Sequence, residues 1–110
     1  MAASLRVTID GIAGGGTIRV GLYDEATFPT VSDTALFRRE TPASGASVTV
    51  TFDRVPPGGW AVKAYQDLNN NNRRDADEPQ AISNGAAATD FDAAAIALMP
   101  GMNTIALHLH

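Results

Sequence analysis

Hydrophobic and polar residues alternate with a period of two in five segments of the chain. This is the pattern of a strand that buries one face. Two weaker segments, Ile96–Leu98 and Phe37–Thr41, indicate further short strands. The five apolar sets are Leu5, Val7 and Ile9; Ile18, Val20 and Leu22; Val48, Val50 and Phe52; Trp60, Val62 and Ala64; and Ile105, Leu107 and Leu109.

Turn residues lie between these segments. The Gly14–Gly16 run predicts a hairpin between the first two strands, Pro56–Gly59 separates two others, and Pro100-Gly101 precedes the last. Many short strands with Gly and Pro turns predict an all-β fold, a sandwich of two sheets. One stretch departs from the pattern, and we expect a short helical turn near residues 33–39.

The chain has 110 residues, which predicts a single domain over residues 1–110. Its net charge of −4 and its lack of basic runs longer than two argue against nucleic-acid binding. The mildly apolar Ala86–Met99 stretch contains Asp90 and Asp92, so we expect no membrane insertion, and no signal peptide is recognisable. The absence of Cys excludes disulfides, zinc–thiolate sites and a Cys nucleophile.

Residues 67–78, Asp-Leu-Asn-Asn-Asn-Asn-Arg-Arg-Asp-Ala-Asp-Glu, have the spacing of a calcium loop. Ca²⁺ prefers six to eight oxygen ligands, and a twelve-residue loop supplies them by curling around the ion. Position 7, Arg73, would offer its backbone carbonyl. Side-chain oxygens occur at positions 1, 3, 5, 9 and 12, which are Asp67, Asn69, Asn71, Asp75 and Glu78.

The loop departs from the EF-hand pattern in several ways. Asn72 replaces the usual Gly at position 6, and Arg74 replaces a hydrophobic residue at position 8. A strand-like segment precedes the loop and Pro79 follows it, so no helix–loop–helix frame is predicted. Asn tolerates the left-handed backbone that the turn needs. Two interpretations therefore remain open: a calcium site, or a polar surface loop without an ion.

Other chemistry-bearing residues give weaker patterns. His108 and His110 share a predicted strand face, but two His residues without a third ligand favour solvent exposure. No Gly-x-Ser-x-Gly sequence surrounds Ser32 or Ser83, and no catalytic residue is predicted. Aromatic residues provide an alternative binding face, although Trp60 belongs to an apolar alternation and is expected in the core. They are Tyr23, Phe28, Trp60 and Tyr65.

The Phe52–Asp67 segment and the Asn/Asp run to Asp75 resemble a family of secreted bacterial domains without an assigned function. Its phrase has the form F-x-x-L-P-P-G-x-Y-A-V-x-x-F-H-D-x-N-x-N-G-x-x-D. The resemblance extends to residues 5–12, 16–24, 28–29 and 83–84 and to a strand over residues 91–98. It implies a seven-stranded transthyretin-like sandwich, a relative of the immunoglobulin architecture, and a periplasmic or extracellular location. In this chain Gln66, Trp60 and Asn72 replace the family's His, Tyr and Gly, and the stretch after the loop is shorter.

We therefore expect a non-enzymatic module of the bacterial envelope or exterior, with calcium as its ion. Its partner would be a protein or a glycan. The alternative is a small-ligand or carbohydrate-binding protein that uses the loop and the nearby aromatic residues.

Overall fold

The structure, a computed structural model, describes residues 2–12, 14–24, 37–68, 79–85 and 91–109. In this part of the chain strands dominate. A 3₁₀ turn (Ser83–Gly85) and one helical turn, α1 (Phe91–Ala94), follow the sixth strand. The strands are β1 (Ala3–Asp10), β2 (Thr17–Tyr23), β3 (Phe37–Pro42), β4 (Ser47–Val55), β5 (Gly58–Asp67), β6 (Gln80–Ile82), β7 (Ile96–Leu98) and β8 (Gly101–His108).

The strands form two sheets. The first has the order β4-β1-β8, and the second has the order β3-β2-β5-β6, with β7 paired to the start of β5. Among the described strand pairs, β1 and β8 run parallel and the others are antiparallel. The predicted all-β sandwich is confirmed, with eight strands in the described residues where seven were expected. The short strand predicted at residues 37–41 is also confirmed, as β3.

The core lies between the two sheets and follows the alternation seen in the sequence. Leu5, Val7 and Ile9 of β1 are fully buried against inward-facing residues of the second sheet, including Leu22 and Val62. The intervening residues of β1 face outward. Burial of alternate apolar side chains is the main stabilising contribution to such a fold.

The prediction of a hairpin at Gly14–Gly16 is wrong. β1 and β2 lie in different sheets, so this run carries the chain from one sheet to the other. β1 and β2 bury their apolar faces against the core from opposite sides. Instead of pairing with β2, β1 pairs with β4 and β8. Period-two alternation identifies a strand with one buried face, but it does not identify the neighbouring strand.

The helical turns do not lie where they were expected. Phe37–Arg39 belongs to β3, and residues 33–36 lie outside the described residues. The segment 91–98, expected as one strand, begins with α1 and continues as β7. α1 lies over the outer face of the second sheet, where Ala94 and Phe91 pack on Tyr23, Ala61 and Ile82. A helical turn is favoured here because it covers an apolar patch that a strand edge would leave exposed.

Residues on both faces of β5 are buried from Trp60 to Asp67, apart from the half-buried Lys63. Among the described residues, no helix is long and apolar enough to cross a membrane.

Candidate functional site

Asp67, the first residue of the proposed calcium loop, is the last residue of β5 and is fully buried. Its Oδ2 accepts a hydrogen bond of 2.7 Å from Nε of Arg19. In the β2–β5 ladder Arg19 is opposite Tyr65, so Asp67 is its diagonal neighbour two residues along β5. Diagonal pairs on one face of a sheet are within reach of a long side chain such as Arg.

Arg19 also binds Glu40, its neighbour on the other side in β3, through Nη1. Three strands thus contribute to a Glu40–Arg19–Asp67 network. Glu40 is about half exposed, whereas the Arg19 side chain is 15 % exposed and Asp67 is fully buried. Burial acts to lower the pKa of Arg19, but the hydrogen bond to Asp67 and the negative charges of Glu40 and Asp67 outweigh it and raise that pKa.

The two ends of the loop are joined at its base. The backbone N–H of Gln66 donates to the carbonyl of Pro79 at 3.0 Å. The buried Gln66 side chain donates from Nε2 to the carbonyl of Gly15 at 2.7 Å. Gln66 therefore ties the loop base to the crossover between the sheets.

Gly16 makes the closest approach to this base. It has a positive φ of 79°, and a Cβ placed on it would lie 2.3 Å from the carbonyl oxygen of Asp67. Only Gly permits this contact together with this backbone conformation. Gly16 thus packs closely against the backbone of Asp67.

Of the six predicted calcium ligands, Asp67 is the one that the structure describes. The other five, Asn69, Asn71, Arg73, Asp75 and Glu78, lie outside the described residues. Asp67 carries carboxylate oxygens, the type of ligand that Ca²⁺ prefers, at the end of β5. One of these oxygens is bound to Arg19, whose charge opposes a nearby cation. Among the described residues no group of three or more His, Asp or Glu side chains has metal-binding geometry.

The described aromatic candidates are buried in the fold. Trp60 is in the core as predicted, with Nε1 donating to the Pro56 carbonyl at 2.8 Å and its ring edge against Phe37. Tyr23 and Tyr65 are buried, and Phe28 lies outside the described residues. The described aromatic residues of the alternative binding face are therefore not available for stacking on a sugar.

His108 is exposed as predicted, and its Nδ1 lies 2.5 Å from Oδ1 of Asp10. His110 lies outside the described residues. Asp92 is an exposed residue of α1. Asp90 and Ser32 lie outside the described residues.

Ser83 is buried and joins two elements. Its Oγ accepts a hydrogen bond from the N–H of Val62 at 3.0 Å and donates to the carbonyl of Ala94 at 2.6 Å. Asn84, at a φ of 60°, donates from Nδ2 to the carbonyls of Ala93 and Ala95. Both side chains hold α1 against β5, so the Ser hydroxyl is committed to structure.

Sequence reasoning missed the partners of Asp67. The one available indication was Arg19, a single cation on the outward face of β2. Which residues lie beside Arg19, however, depends on the order of the strands. That order becomes visible only when β3 and β5 are placed on either side of β2.

A family model described as "Uncharacterized protein conserved in bacteria (DUF2141)" matches residues 7–106. The chain belongs to this family. The match confirms the resemblance to a bacterial family without an assigned function. No curated protein and no solved structure matches the chain.

Proposed function

We propose that this family member is a non-enzymatic binding or structural module of the bacterial envelope or exterior, with Ca²⁺ bound by loop 67–78. The finer likeness to a transthyretin-like sandwich and the periplasmic or extracellular location are parts of the same proposal and rest on the sequence resemblance.

The observation that carries the proposal is the construction of the loop base. Asp67 is fully buried at a strand end, and the Gln66–Pro79 hydrogen bond closes the loop beside it. A buried carboxylate requires compensation by a positive charge or hydrogen bonds. Arg19 supplies it here, and Glu40 in turn offsets the charge of Arg19. The base thus presents an oxygen-bearing side chain in a fixed position before any ion binds.

Loop residues would complete the site. Asn69, Asn71, Asp75 and Glu78 would contribute side-chain oxygens and Arg73 its carbonyl. A bound Ca²⁺ would cross-link the loop to the end of β5 and so stiffen this end of the sandwich for a partner. Arg19, which is itself paired with Glu40, holds the Asp67 carboxylate in position.

The carbohydrate-binding alternative has less support. Stacking on a sugar needs exposed aromatic rings, whereas Tyr23 and Tyr65 are buried and Trp60 packs on Phe37. An enzyme has less support too, because Ser83 is buried with its hydroxyl bonded to the backbone on both sides.

Calorimetric titration of chelator-treated protein with Ca²⁺ tests the proposal. We expect binding in the wild type and a loss of at least tenfold in affinity in Glu78→Gln, because Glu78 provides the bidentate position. Asp92→Asn, an exposed acid on α1, is the matched control and should bind as the wild type does. A flat isotherm for the wild type up to about 10 mM Ca²⁺ would exclude the ion site.

A further inference from the structure

In the described part of the chain, the edge strands of the two sheets differ in how they are protected. At the outer edge of the second sheet, β3 carries the exposed charged residues Arg38, Arg39 and Glu40. Arg39 also protects the edge of β4, since its Nε donates to the Thr51 carbonyl at 3.2 Å and its guanidinium lies over the Phe52 ring. β6 and β7 have only three residues each. Charged or very short edges resist pairing with another chain.

β8 has none of these features. It is an eight-residue strand, Gly101–His108, without Pro, Lys, Arg, Asp or Glu. In the described residues its one pairing partner is β1. An uncharged edge strand of this length offers a row of backbone donors and acceptors to a further strand.

The backbone hydrogen bonds show which groups face this open edge. The N–H groups of Gly101 and Leu109 donate to carbonyls next to or at the end of β1, those of Ala2 and Asp10. Odd-numbered residues of β8 therefore face β1, and the N–H and C=O groups of Met102, Thr104 and Ala106 face away from it. The side chains of these three residues are exposed on the outer face of the sheet.

We propose that β8 pairs with β8 of a second copy of this chain, antiparallel and related by a two-fold axis at Thr104. In this register Thr104 is opposite its own counterpart, and Met102 is opposite Ala106. Every outward N–H and C=O of the three residues then finds a partner. The two three-stranded sheets join into one continuous sheet, an isologous contact in which each copy presents the same surface.

Charge and side-chain size favour a second copy as the occupant. The chain carries a net charge of −4, so two copies repel unless they meet along an uncharged strip, and Met102, Thr104 and Ala106 form such a strip. Met102 is 55 % exposed, and in this register it covers the small side chain of Ala106 of the other copy. Met99, 65 % exposed just before β8, adds apolar surface at each end of the contact. A two-strand contact is small, so the association is weak and depends on concentration.

Proline substitutions test the contact selectively. Thr104→Pro removes one outward N–H of β8 and no hydrogen bond to β1. Thr49→Pro is the matched control: Thr49 lies on β4, the other edge of the same sheet. The carbonyl of Thr51, two residues further along β4, faces away from β1 toward Arg39, and the N–H of Thr49 has the same orientation. Proline is tolerated where the N–H faces outward from an edge strand.

We expect sedimentation equilibrium to show wild-type protein and Thr49→Pro approaching twice the chain mass as concentration rises, with Thr104→Pro remaining monomeric. If Thr104→Pro does not fold, Ala106→Lys replaces it, with Thr49→Lys as the control. Amide exchange gives a second readout: protection at 102, 104 and 106 should rise with concentration, while 103 and 105 stay protected at all concentrations. A wild type that is monomeric to about 1 mM, or a Thr104→Pro or Ala106→Lys variant that associates like it, would overturn the proposal.

Discussion

Arg19 and Asp67 form a buried ion pair across the β2–β5 ladder, with Nε and Oδ2 2.7 Å apart. The pair connects the outer face of the second sheet to the base of loop 67–78. It gives Asp67 a structural role in addition to the ion-binding role proposed for it. Removing one partner of a buried ion pair is costly, because the remaining charge loses its compensation.

The first prediction concerns this pair. Arg19→Met should lower the free energy of unfolding by about 3 kcal/mol, because Asp67 then stays buried without its guanidinium. Glu40→Gln is the control, since its side chain is 54 % exposed, and it should cost less than about 1 kcal/mol. Urea unfolding of the three proteins measures both changes. Equal losses of unfolding free energy in the two variants would show that the buried Arg19–Asp67 contact stabilises the fold no more than the exposed Arg19–Glu40 contact.

The second prediction concerns the glycine crossover. Gly15 and Gly16 both have positive φ, of 93° and 79°. An added Cβ at Gly15 meets nothing within 4 Å, whereas at Gly16 it meets the carbonyl oxygen of Asp67. Gly15→Ala should therefore cost about 1 kcal/mol from backbone strain alone, and Gly16→Ala about 1–3 kcal/mol more from the steric conflict. Similar melting temperatures for the two variants would contradict the close packing of Gly16 on the loop base.

These residues show what the sequence could and could not predict. The alternation in Leu5–Ile9 and Ile18–Leu22 predicts two strands with one buried face each, and both are present. It does not predict that they lie in different sheets, because strand pairing depends on contacts distant in sequence. The sequence predicts a strand directly before the loop, and Asp67 is the last residue of that strand, β5. Its pairing with Arg19 followed from the order β3-β2-β5, which no local pattern contains.

The apolar patch on the outer face of the second sheet could not be predicted from local sequence patterns either. Tyr23 and Ala61 lie on the face that alternation assigns to solvent, yet both are buried beneath α1. A helical turn of four residues has too few positions to give a recognisable period. Its place is determined instead by the surface that it covers and by the hydrogen bonds of Ser83 and Asn84.

The third prediction concerns Ser83. Ser83→Ala removes the acceptor of the buried Val62 N–H and the donor to the Ala94 carbonyl, and it should cost about 2 kcal/mol. Ser44→Ala, at an exposed position between β3 and β4, should change stability by less than about 0.5 kcal/mol. Hydrogen exchange should show faster exchange at Val62 in the first variant. Unchanged exchange at Val62 would mean that water replaces the hydroxyl without loss.

The fourth prediction separates the ion-binding role of the loop from the structural role of its base. Calcium affinity should be weak, with a Kd of about 10⁻⁴–10⁻³ M, as in extracellular modules. A hundredfold excess over the Kd then adds about 2.7 kcal/mol of stability. Glu78→Ala should melt like the wild type in chelator and lose the rise in melting temperature on adding Ca²⁺.

Asp67→Ala should behave differently, because it removes the buried partner of Arg19 as well as the first ligand. We expect it to melt below the wild type in chelator and to gain nothing from Ca²⁺. Asp67→Asn keeps the shape of the side chain but not its charge, and should fall between the two in chelator. If Ca²⁺ raises the melting temperature of Asp67→Ala and of the wild type equally, the ion binds elsewhere and the role of Asp67 is structural only. If Asp67→Ala and Glu78→Ala melt alike in chelator, the ion pair does not stabilise the fold.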